Sequence, residues 1–123
     1  MSFQTISLRP TSTIPANRIV GLNSANTVGY CTASTQMPLG ISLDTVLDTT
    51  ASLPIQLNGI GRLYFNDSVT AGALIGCNSN GCGIPYVATT NTTYSIGILL
   101  GASVDKTGTI AEILINPCAR QAP

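Results

Sequence analysis

Val20-Gly21-Leu22-Asn23-Ser24, Val28-Gly29-Tyr30-Cys31-Thr32-Ala33 and Leu39-Gly40-Ile41 return in the same order later in the chain. The second copy reads Ile75-Gly76-Cys77-Asn78-Ser79, Ile84-Pro85-Tyr86-Val87-Ala88-Thr89 and Ile96-Gly97-Ile98. Each copy then crosses a polar turn to a further apolar strand, Leu53-Pro54-Ile55-Gln56-Leu57 or Ile110-Ala111-Glu112-Ile113-Leu114-Ile115. Gly, Tyr and Asn fall at matching places, which chance does not readily produce. The two copies define pseudo-repeats of about 18–60 and 73–117. A duplicated strand-turn-strand unit predicts a compact all-β scaffold with little chain left over for chemistry.

Outward from the repeat, helical periodicity is nearly absent. Thr, Val and Ile fill the intervals between recurrent Gly and Pro, which favours short strands joined by turns. The pattern predicts strands near 18–23, 27–33, 38–43, 53–58, 60–65, 73–77, 84–88, 95–101 and 110–116. Their spacing suits a β-sandwich or a small barrel. Asn58-Gly59 and Asn80-Gly81 are the strongest turn pairs, because both residue types tolerate the positive φ of a tight hairpin. Gly59 would alternatively mark a bulge in one long bent strand from Leu53 to Phe65. A short helical turn is possible around 44–48.

Residues 1–17 stand outside the repeat and read as an extended N-terminal arm ahead of a single β-domain, 18–123. Phe3, Ile6 and Leu8 alternate with polar neighbours, as in a strand added to another sheet, while Pro10 and Pro15 argue against a central strand. A frayed terminus and an arm lying across a neighbouring subunit are the two readings.

Composition sets the function classes. Only 8% of the 123 residues are charged, against roughly 25% in an average soluble protein. Thr, Ser, Asn and Gly must therefore cover the surface, leaving little charge repulsion against association. Such a chain suits an assembly. Five basic residues balance five acidic ones without a run of either sign, so there is no positive footprint for nucleic acid and no basic membrane face. The longest apolar stretch, about 94–104, is broken by Ser and Gly and is shorter than the ~20 residues that span a bilayer. No charged segment leads into an apolar core, so no secretory signal is expected. The sequons at Asn66 and Asn91 are then attributed to Asn and Thr abundance.

Histidine is absent, which removes the usual serine and cysteine triads and most general-base schemes near neutral pH. The sole lysine, Lys106, lies in the turn-like Asp105-Lys106-Thr107-Gly108. Asp44, Asp48 and Asp105 occupy matching loops of the two copies, where solvated turns explain them better than a carboxylate pair. The glycines 72, 76, 81 and 83 lack the order and the following helix of a phosphate loop. No catalytic, cofactor or metal site is expected, and the chain does not read as an enzyme. Of four cysteines, Cys77 and Cys82 flank a turn and form the best candidate disulfide, although free buried thiols are favoured for all of them. C-x₄-C spacing without histidine is a poor zinc site. In the copy alignment Cys31 falls opposite Val87, and Cys77 opposite Leu22, as small buried apolar residues would.

The order apolar-Gly-x-Asn-Ser, turn, Val/Ile-x-Tyr, Leu/Ile-Gly-Ile, apolar strand resembles the small capsid decoration (cement) proteins of tailed bacteriophages. Ser68-Val69-Thr70-Ala71-Gly72-Ala73-Leu74-Ile75 is similar to the Ala-Gly-x-x-Val step ahead of a strand in that family, and Pro38-Leu39-Gly40-Ile41-Ser42-Leu43 to its Val-Ile-Gly-Val-Ala strand. The likeness covers roughly 18–117, on short motifs of common residues, in a chain poorer in Ala and acidic residues and richer in Cys. It implies a structural virion protein that binds the outer surface of the phage head and ties capsomers together. The implied partners are the major capsid protein and other copies of the chain, as a homotrimer or alternatively a homodimer. Assembly in the host cytoplasm is implied too. Segment 2–15 becomes a candidate clamp, with Phe3, Ile6, Leu8 and Arg9 as its contacts. The competing reading is a small carbohydrate- or receptor-binding β-module of a phage tail or fibre. Tyr30 and Tyr86, at equivalent repeat positions, argue for core roles over a sugar platform.

Overall fold

Strand pairing in the computed structural model follows the duplication. The structure describes residues 4–24, 27–31, 36–46, 51–87, 93–101 and 108–120, without the side chains of 23, 24 and 118–120. Five strands come from the first half: β1 (Thr5–Pro10), β2 (Ile19–Ser24), β3 (Thr27–Tyr30), β4 (Gly40–Ser42) and β5 (Leu53–Gln56). Five come from the second: β6 (Gly59–Phe65), β7 (Leu74–Cys77), β8 (Gly83–Pro85), β9 (Thr93–Leu99) and β10 (Thr109–Arg120). Each half closes on itself as a five-stranded barrel, in the orders β1-β3-β2-β4-β5 and β6-β8-β7-β9-β10. First and third strands pair in parallel in each barrel, and the remaining pairs are antiparallel. The all-β expectation holds, as barrels rather than a sandwich. No described residue is helical, and the possible turn around 44–48 is a bend at Asp44 followed by a bridge from Val46 to Ile14; residues 47 and 48 lie outside the described set.

Register makes the repeat quantitative. Ile19 faces Ile41 and Val20 faces Gly40 in the first barrel; Leu74 faces Ile98 and Ile75 faces Gly97 in the second. The Cys31 amide donates to the Ile19 carbonyl at 3.0 Å, and the Tyr86 amide to the Leu74 carbonyl at 3.2 Å. Cys31 is therefore equivalent to Tyr86, one residue from the Val87 suggested by the aligned strings. Asn17 and Gly72 both have positive φ, 65° and 82°, and donate to the equivalent carbonyls of Ser42 and Leu99 at 2.8 Å. Asn and Gly are the residues that tolerate this conformation. The duplicated Leu-Gly-Ile and Ile-Gly-Ile tracts also have a cause. A Cβ on Gly40 would collide with the Gln56 carbonyl, and one on Gly97 with the Leu114 carbonyl, so the last strand of each barrel crosses too close for a side chain.

Residues 5–10 correct the arm expectation. They form β1, antiparallel to β5 from Thr5↔Gln56 to Leu8↔Leu53 and parallel to β3 at Arg9↔Thr27 and Pro10↔Val28. β1 is the counterpart of β6, so the structural unit begins one strand earlier than either pseudo-repeat boundary. Pro10 is accommodated because it ends the strand, and Pro15 lies outside one. Ile14, from the same segment, is fully buried. Asn58-Gly59 is likewise not a hairpin. It joins β5 of one barrel to β6 of the other, which do not pair, and the Gln56 amide clamps the junction by donating to the carbonyls of Asn58 and Ile60, both at 2.9 Å. Asn80-Gly81 does sit in a tight turn, closed by Asn78 N to Cys82 O at 3.0 Å, with Gly81 at φ 73°.

Alternation along the strands feeds two apolar clusters. One fills the first barrel with Ile14, Val20, Val28, Val46, Leu53 and Ile55. The other contains Leu63, Phe65, Ile75, Ile96 and Ile113 of the second barrel, and it also takes in Ile19, Cys31 and Ile41 from the first. Within β2, Val20 thus points into its own barrel while Ile19 packs on the other.

Candidate interaction surface

A side chain one position out of phase with its barrel core faces outward, and on the first barrel those outward residues are apolar where the second barrel covers them. Ile19, Cys31 and Ile41 are 0%, 0% and 1% exposed, sealed against the mouth of the second barrel, where Cys77, Tyr94 and Ile96 close on Ile19 and Cys31 with no room left for a water molecule. Hydrogen bonds fix the docking: Ile19 N donates to Gly81 O at 2.7 Å, and Tyr64 N to Asn17 O at 2.9 Å. Arg18 crosses the joint. Its guanidinium carbon lies 4.4 Å from the centre of the Tyr64 ring, and its Nη1 donates to Asn80 O at 3.4 Å and to the Cys82 sulfur at 3.1 Å. The buried Nε has no hydrogen-bond partner among the described residues.

The same joint decides the cysteines. Cys77 Sγ lies 3.1 Å from Cys31 Sγ, across the two barrels, and Cys82 turns to Arg18 instead. This corrects the Cys77–Cys82 pairing: the turn between them directs the two thiols to different neighbours. Cys31, Cys77 and Cys82 are all buried; the side chain of Cys118 lies outside the described set. Contact with the Cys31 sulfur holds the Cys77 thiol below its ordinary range against the opposing effect of burial. Burial pushes the Cys82 thiol up, and the Arg18 charge opposes it.

Of the proposed clamp residues, Ile6 and Leu8 pack partly buried against the first barrel's core and are not free to grip a neighbour. Arg9 is exposed on the outer face of β1, and Phe3 lies outside the described residues. The three described residues form no common surface, since Ile6 and Leu8 turn to the core and Arg9 turns outward. Asp44 accepts a hydrogen bond from the Thr45 amide at 2.8 Å, a local turn contact; Asp48 and Asp105 lie outside the described residues.

Exposed apolar side chains cluster elsewhere. On the first barrel, Leu22 (54% exposed) and Met37 (64% exposed) line a recess of about 260 Å³ with Gln36, Pro38 and Leu39. On the second, β6 and β10 present Ile60, Ile110, Tyr64 and Leu114 outward, around Arg62 and Glu112, which face each other in register. The equivalent outward positions of β1 are Thr5, Ser7 and Arg9. Sequence reading missed both surfaces because an exposed Leu and a core Leu look the same in the string. The usable signal was the polar-to-apolar change between copies, Thr5 to Ile60 and Arg9 to Tyr64, visible only once β1 is matched with β6.

No protein-family model matches this chain, and no curated protein matches it in sequence. Among solved structures it is similar to the N base of the head fiber gp8.5 of bacteriophage phi29, with a TM-score of 0.70 and 10% sequence identity. The match covers 94% of this chain and 95% of that one, so the fold is shared from end to end.

Proposed function

We propose that this chain is a structural protein of a bacteriophage head, held on the outer surface of the shell where it ties capsomers together. One observation carries the reading: its fold matches, over nearly the full length of both chains, a protein whose own description places it in a phage head fiber. The surface chemistry supports it. In a chain with only 8% charged residues, the outer face of β6 and β10 sets Ile60, Ile110, Tyr64 and Leu114 around a single Arg62 and Glu112 pair, and we assign that face to the major capsid protein. Several copies engaging one shell would each need only a modest interface, since later contacts become intramolecular.

The phi29 likeness also favours a second reading, an anchor at the base of a head fibre. Both readings put the chain on the head. Electron microscopy of purified particles would locate it. Particles carrying Ile60→Asp or Ile110→Asp should show loss of its density and earlier release of DNA on heating. Wild-type protein that is absent from heads, or that binds a glycan array saturably as a pure protein, would replace this reading with a receptor-binding module.

A further inference from the structure

The joint between the barrels has two sides, and each barrel carries both of them. The side that seats is Ile19, Cys31 and Ile41 on the first barrel; its register equivalents on the second are Leu74, Tyr86 and Ile98. The side that receives is Cys77, Tyr94 and Ile96 at the mouth of the second barrel. Its equivalents on the first are Leu22, Met37 and Leu39. Within one chain a single seat meets a single mouth. The other pair meets no partner within the chain, and its mouth borders the joint, since Gln36 and Pro38 line both.

Exposure follows this division. Ile19 and Ile41 are 0% and 1% exposed, whereas Leu74 and Ile98 are only half-buried. Cys77 is 6% exposed and its counterpart Leu22 is 54% exposed. None of the residues in the open pair is charged, as in the closed one. Local geometry repeats too: Cys31 Sγ approaches Gln36 O at 3.5 Å, and the Tyr86 hydroxyl meets Thr93 Oγ1 at 2.6 Å at the same place in the second barrel.

We propose that copies of this chain associate head to tail, the Leu74–Tyr86–Ile98 face of one seating on the Leu22–Met37–Leu39 mouth of the next and repeating the contact between its own barrels. The occupant is a second copy because this chain already holds, in its own first barrel, the surface that fits such a mouth. A contact between unlike patches gives a closed ring if the rotation closes and a filament otherwise. It does not depend on attachment to a head.

The test uses the purified full chain in sedimentation velocity across a concentration range up to about 100 μM, where even weak contacts register. Wild-type protein should associate as concentration rises. Leu22→Asp, which spoils the mouth, and Ile98→Lys, which spoils the face, should each weaken association by about tenfold or more. A cooperative melt checks that each variant is folded, and Tyr86→Ser replaces Ile98→Lys if it is not. Mixing the two variants is decisive, because one intact mouth then remains for one intact face. The mixture should give a 1:1 complex that grows no further. A wild-type chain that stays monomeric throughout, variants that associate as it does, or a mixture that forms no complex would each overturn the proposal. So would capture by heads that is lost in both variants while the pure wild type remains a monomer, since those faces would then meet the shell.

Discussion

The first barrel and the second are built on one register, yet the same positions lead different lives. Ile41 and Ile98 occupy equivalent places in β4 and β9; one is sealed beneath a neighbouring barrel and the other is half open. Leu22 and Cys77 reverse the order, with the first barrel's residue exposed and the second's buried. Inward-facing positions such as Val20 and Ile75 are apolar in both copies because each barrel must fill its own interior, although buried Ser42 stands where the second barrel has Leu99. Outward-facing ones depend on what lies against them. Duplication therefore conserves the core chemistry and leaves the outer faces to be set by neighbours, inside the chain or beyond it.

Removing β1 is the harshest way to test the equivalence of the halves. Deleting residues 1–15 takes away a strand paired on both sides and the buried Ile14, so the first barrel should lose cooperative folding by circular dichroism and melting. A fully folded remainder would restore the arm and break the match between β1 and β6. Next come the close-approach glycines. Gly40→Ala and Gly97→Ala should each cost about 3 kcal/mol in denaturant unfolding, because a backbone carbonyl cannot step aside as a side chain can. A large cost at one site and none at the other would mean that the last strands do not cross alike.

Ile41→Ala against Ile98→Ala sharpens the contrast in covering. The first should cost about 2–4 kcal/mol and the second about 1 kcal/mol in dilute protein, since only the first opens a cavity. Equal costs at low concentration would deny the difference between covered and open faces. Arg9→Ala sits at the small end. Exposed on β1, it should change stability by no more than about 0.5 kcal/mol. A larger loss would show that the polar face of the first barrel is also in contact with something.

Much of this was legible in the string. The nine strands expected from period and turn residues overlap nine of the ten observed, from β2 to β10. β1 was the one set aside: the alternation of Ile6 and Leu8 reads as a strand, but Pro10 and Pro15 pointed to one added to another sheet and not to a member of this barrel. The candidate surface was harder. Cys31 and Cys77 read as small buried residues, which they are, but nothing in their neighbourhood said that they are buried against each other, with sulfurs 3.1 Å apart. Cys82, closer to Cys77 in sequence, was the natural partner on spacing alone.

Composition and periodicity, then, were enough for an all-β chain, for its duplication and for a surface poor in charge, since these are local or summed properties of the residues. Closure of each half into a barrel depended on pairings between distant strands, and so did the direction in which each outward Ile or Leu finds cover. Alternation tells which side chains share a face. Only the docking of one barrel on the other tells which of those faces is already taken.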